Sequence, residues 1–152
     1  MDTGPIAIKR VILGFLASWY SIVFLSNTFD LFKELTILPE SFAFHSGNFE
    51  LIEKVTAVHQ FPHGMNVLLL VGVILLEGFI AFLFWRACFG IKADLQQTGT
   101  KAQFAYFWGI SLWCLFLIFD EFFLVYRVFD GEYLHFCILI FHLLSYQFVM
   151  KP

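Results

Sequence analysis

Four stretches of this chain are apolar for long enough to cross a bilayer. Backbone N–H and C=O groups in hydrocarbon must be satisfied inside the segment that carries them, so each stretch has to be a helix. They run over about residues 11–29, 65–88, 103–127 and 133–150, each near the ~20 residues that a 30 Å core requires. The expected fold is therefore all-α, a four-transmembrane-helix bundle forming one integral membrane domain over 152 residues, with a longer loop at residues 30–64.

Composition agrees. Hydrophobic residues make up 60% and charged residues 14%, with 22 Phe, against roughly 45–50% and 25% in soluble domains. A net charge of -3 and no basic stripe exclude nucleic acid as a partner. Lys9 and Arg10 before a short apolar run imitate the start of a signal peptide. Bulky Trp19 and Tyr20 stand where a cleavage site needs small residues, so this stretch is expected to stay as a helix.

Orientation follows the lysines and arginines. Lys9, Arg10, Arg86, Lys92, Lys101 and Lys151 flank the chain ends and the second connection, which places both termini in the cytoplasm. The first connection carries Asp30, Glu34, Glu40, Glu50 and Glu53 against Lys33 and Lys54, and belongs outside. Its two apolar clusters, Leu31 to Leu38 before Pro39 and Phe49 to Val58 after a possible cap at Asn48, predict short amphipathic segments. Those segments either rest on the bundle or cover a site.

Glu77 is the residue most in need of a reason. It interrupts some two dozen apolar residues near the middle of the second span, where an ionisable group costs at least ~2.5 kcal/mol and so faces a partner or a polar cavity. Helical periodicity puts Asn66, Val73, Glu77, Ala81 and Cys88 on one stripe, and Gly14, Ser18 and Ser21 on a small-residue stripe suited to close helix contact. On the third span Ser111, Cys114 and Glu121 share a face, and on the fourth His135 and His142 do. At 1.5 Å per residue Glu77 lies roughly 18 Å and His142 roughly 14 Å from the outer boundary. The two are expected to pair, either as a proton relay or as a hydrogen bond fixing helix register.

A second constellation lies at the outer end, where Asp120, Glu121, Arg127, Asp130, Glu132 and His135 cluster and His63 stands opposite. Glu132 and His135 form one Glu-x-x-His, but a di-iron bundle needs two such motifs and two further carboxylates. His59 and His63 flank Pro62, which excludes the zinc-protease helix pattern. Haem would need His63 opposite His135. The chain is expected to carry no metal and no cofactor. Cys88, Cys114 and Cys137 lie in or beside spans without a C-x-x-C and read as apolar fillers.

The run Leu76-Glu77-Gly78-Phe79-Ile80-Ala81-Phe82-Leu83-Phe84-Trp85, then Asp120-Glu121-Phe122-Phe123 through Tyr126, then Phe129-Asp130-Gly131-Glu132, resembles the predicted small integral membrane proteins of bacteria, an uncharacterised four-helix family. Asn27-Thr28-Phe29-Asp30 and His63 match it more loosely. Asp130 and Glu132 are acidic where the family has amides, and Phe122 and Tyr126 replace tryptophans, so the role of that turn is not carried over. The resemblance implies the four-span fold, points to Glu77 and Glu121, and supplies no chemistry. The expected protein is a non-enzymatic accessory or binding component of the bacterial inner membrane, in contact with lipid and with a membrane-protein partner or a second copy. The rival expectations are a small ion- or proton-coupled carrier using Glu77 and His142, and a redox module holding quinone or haem near His63, Glu121 and His135.

Overall fold

In the computed structural model, which describes residues 4–90, 95–127 and 132–151, four long helices and one short one account for most of the described residues. The long helices are α1 (Gly4–Glu34), α3 (His63–Phe89), α4 (Leu95–Phe122) and α5 (Glu132–Met150), and the short one is α2 (Asn48–Thr56). Each long helix contains a segment apolar and long enough to span a membrane, so the chain is a multi-pass membrane protein. Their outer faces carry exposed Phe15, Ile22, Leu75, Phe82, Phe107, Ile118 and Phe136, which suit lipid and not water.

The helix ends follow local chemistry. Pro62, extended at φ -69° and ψ 150°, precedes α3 and costs the helix no donor. At the end of α1, Ile37 N donates to Phe32 O and Thr36 N to Lys33 O while Thr36 takes φ 58°, a left-handed stop of the Schellman type. The helix thus absorbs residues 30–34, which the sequence reading placed in a separate amphipathic segment. The second predicted segment is α2, but Gly47, left-handed at φ 73°, takes the cap position and Asn48 is already helical.

The helices alternate in direction. Small residues set the closest approaches of α1 to α3, where Gly14 faces Cys88 Sγ and Gly78 faces the Phe24 ring. Gly109 does the same between α4 and α5, beneath His142. Around the bundle the neighbours run α1, α3, α4, α5. The core gathers Leu13, Leu16, Tyr20, Ile80, Phe84 and Tyr106 in the half nearer the chain termini. There α1 and α5 meet, through Lys9 and the Lys151 carbonyl, through Phe15 and Phe141 (ring centroids 5.8 Å apart) and through Tyr20 and His142. Toward the loop end both helices line a cavity.

Candidate functional site

The cavity measures about 360 Å³ and lies at the loop end of the bundle. Trp19 and Val23 of α1, Trp113, Phe116 and Asp120 of α4, His135 and Ile138 of α5, and Leu70, Val73 and Glu77 of α3 line it. The apolar face of α2, Leu51, Ile52 and Val55, lies across it. Its walls are thus mostly apolar and aromatic with a few placed polar groups, the character of a small-molecule site.

Glu77 is buried and reaches the cavity from mid-helix. Asn27 Nδ2 donates to both of its oxygens, at 2.9 and 2.8 Å, and Asn27 Oδ1 in turn accepts from Asn48 Nδ2 at 2.7 Å. A polar chain therefore runs from the start of α2 through α1 to the carboxyl group. Among the described residues no ion pair reaches Glu77. Nearby, Thr56 at the end of α2 hydrogen-bonds Asn66 Oδ1 at 2.9 Å, a second buried tie between α2 and α3.

His142 does not pair with Glu77. Its Nδ1 donates to Ile138 O at 2.9 Å, so Nε2 accepts from the Tyr20 hydroxyl at 2.9 Å, and the Tyr20 oxygen accepts from Trp113 Nε1 at 2.8 Å. Every donor in this set has one acceptor, a closed network that fixes the imidazole tautomer and locks α1, α4 and α5 together. Equal depth did not mean equal azimuth. Glu77 turns toward Asn27 of α1, whereas His142 turns toward Tyr20 and Trp113.

The outer cluster also divides. Asp120 is buried and accepts from His135 Nδ1 at 2.7 Å, both facing the cavity. Glu121 is exposed, and so is Cys114, while Ser111 is half-buried. The face shared by Ser111, Cys114 and Glu121 is therefore not the one that turns into the bundle; Asp120 is on the buried side. The buried stripe of α4 is Ala102, Ala105, Tyr106, Gly109, Leu112, Trp113 and Asp120, chosen by close packing and aromatic bulk and not by small polar residues. Ser18 is exposed for the same reason, and α1 buries Leu13, Leu16, Ala17, Tyr20, Asn27 and Asp30 instead. His63 stays at the surface between Glu34, at 3.7 Å, and Glu53, at 3.3 Å, and does not face His135. Asp130 lies outside the described residues, as do the side chains of Arg127 and Glu132.

Three residues of the site were missed from the sequence. Asn27 fell inside the first span, Asn48 read only as a cap and Asp30 only as an acid of the first connection, yet Asp30 Oδ2 accepts from Phe49 N at 2.7 Å and caps α2 from another helix. The signal was present: Tyr20, Asn27 and Asp30 continue the Leu13, Leu16, Ala17 stripe at helical spacing. Among the described residues no three His, Cys, Asp or Glu side chains converge as a metal-binding group.

Comparison of the chain with protein-family models, curated proteins and solved structures finds no match.

Proposed function

We propose that this protein is a non-enzymatic binding component of the bacterial inner membrane, with both termini in the cytoplasm, which takes an amphiphilic small molecule from the bilayer into the cavity between α1 and α5. One observation carries the reading: a cavity of about 360 Å³ walled by apolar and aromatic groups, with a buried carboxyl at mid-helix and an Asp–His pair in its lining. That volume lies within the range of about 300–1,000 Å³ usual for ligand pockets. In this reading the ligand enters from the bilayer between the loop-end halves of α1 and α5, which both line the cavity, and α2, which also lines it, covers the water side. The carrier reading that needs Glu77 and His142 to share a proton has no such contact to stand on, since His142 is used up in the Tyr20 and Trp113 network.

Trp19 and Trp113 line the cavity and report on it. With the protein in lipid nanodiscs, titration with ten-carbon amphiphiles bearing ammonium, phosphine-oxide or sulfonate heads should give a saturable change in tryptophan emission with at least one of them. Val73→Phe, which puts a ring into the cavity, should abolish it. A response that only rises linearly with every probe, as simple partitioning into lipid does, would overturn the reading.

A further inference from the structure

The cavity has a charge preference as well as a shape. Its lining carries two carboxyl groups, Glu77 and Asp120, and among the described residues that line it none is Lys or Arg. Asp120 already has a partner in His135 Nδ1 at 2.7 Å. Glu77 has the Asn27 amide and, among the described residues, no counter-charge. An anionic ligand would meet two carboxyl groups in a low-dielectric wall, where like charges repel most strongly. A neutral ligand would leave Glu77 as it is. A cation would supply the missing counter-charge.

The aromatic walls favour the same class. Trp19 and Trp113 lie with ring centroids 5.6 Å apart, and Phe116 packs on Trp113 at 5.3 Å, so several ring faces and edges border the space that Glu77 enters. Ring faces attract ammonium groups, tryptophan most of all, and the attraction grows where water is excluded. Carboxylate and ring faces together suit a diffuse cation better than a small hydrated ion, which would have to shed its water.

We infer that the ligand is a lipophilic cation, an amine or quaternary ammonium on an apolar tail, with its charged centre between Glu77 and the Trp19 and Trp113 rings. This rests on the binding reading above and names the class of molecule that the same cavity selects. Charge selection comes from Glu77, and the rings add to it; Asp120, already paired, contributes less.

The test uses full-length protein in nanodiscs with Trp85→Phe and Trp108→Phe, which leaves Trp19 and Trp113 as the reporters. The probes are decyltrimethylammonium, uncharged decyldimethylphosphine oxide and anionic decanesulfonate. The cation should bind about tenfold or more tighter than the phosphine oxide, and the sulfonate weakest. Glu77→Gln keeps an acceptor for Asn27 and should weaken the cation about tenfold while leaving the phosphine oxide unchanged. If the phosphine oxide or the sulfonate binds as tightly as the cation, the charge inference is wrong and the binding reading stands. If none of the three saturates, the binding reading itself falls. Should Glu77→Gln fail to fold, selectivity among the three probes on the protein with native Glu77 decides alone.

Discussion

Glu77 and Gly109 show how much a single position settles here. Glu77 accepts both of its described hydrogen bonds from Asn27, so the two substitutions usually compared at such a site part company. Glu77→Gln retains an amide oxygen for Asn27 and should leave the melting temperature in detergent nearly unchanged. Glu77→Leu strands a buried Asn27 amide and should cost about 1–3 kcal/mol, the usual penalty for a buried donor left without an acceptor. Equal melting of the two variants would mean that the Asn27 contact holds nothing. At Gly109 an added Cβ would stand 3.2 Å from both His142 Cδ2 and the Tyr20 hydroxyl. Those groups are hydrogen-bonded to each other and to Trp113 and cannot step aside, so Gly109→Ala should destabilise by about 1–3 kcal/mol, read as a lowered thermal midpoint. The sequence marked Glu77 because a carboxyl group in a hydrophobic run stands out. It could not name Asn27 as the partner, because partner choice depends on helix rotation, and a hydropathy pattern in which nearly every residue is apolar leaves rotation undefined.

At the scale of elements, α2 is the piece that most depends on its neighbours. Nine residues are too few for a stable helix in isolation. Asp30 supplies the cap from α1, accepting from Phe49 N and from Ser46 Oγ, and His45 Nδ1 holds the same carboxylate at 3.0 Å. Asp30→Ala should therefore cost about 1–2 kcal/mol and raise protease cleavage around Ser46-Gly47, with Glu121→Ala, on an exposed side chain, as the silent control. Faster cleavage with Glu121→Ala than with Asp30→Ala would refute the cap. On the water side of the same helix, Lys54 hydrogen-bonds Glu50 at 2.6 Å, and that bond and the ammonium charge hold the Glu50 carboxyl below its usual value of 4.5. A depressed value contributes stability above the unfolded pKa that is lost as pH falls through the folded one. Amide protection of α2 should fall slightly below pH 4.5, and because Glu50 is exposed the effect should vanish in high salt. If protection is the same at pH 3 and pH 6 in low salt, the pair contributes nothing to the helix. The four spans were legible as elements, since length and apolar runs suffice for that. The end of α1 was not, because a Thr in the left-handed region leaves no glycine to mark the stop.

The whole molecule sorts its charge by end. Lys9, Arg10, Arg86, Lys101 and Lys151 gather where the chain termini meet, whereas Asp30, Glu34, Glu53 and Asp120 lie at the end that holds the cavity. In the sequence, six of the nine basic residues, Lys92 among them, flank the chain ends or the second connection. A bilayer retains basic flanks on the cytoplasmic side, so the cavity should draw on the outer leaflet and α2 should face the outside. The sorting of basic and acidic residues between the two ends was legible from residue order alone, unlike the cavity, whose lining comes from α1, α2, α3, α4 and α5 together. Alkaline phosphatase, which is active only outside the cytoplasm, provides the check. Fused after Pro152 it should be inactive, and inserted after Ala43, in the exposed stretch before the Gly47 cap, it should be active. The reverse pattern would turn the molecule over and place the cavity in the inner leaflet. The chemistry of Glu77 and the ring walls would then stand, but the ligand would have to come from the cytoplasmic side.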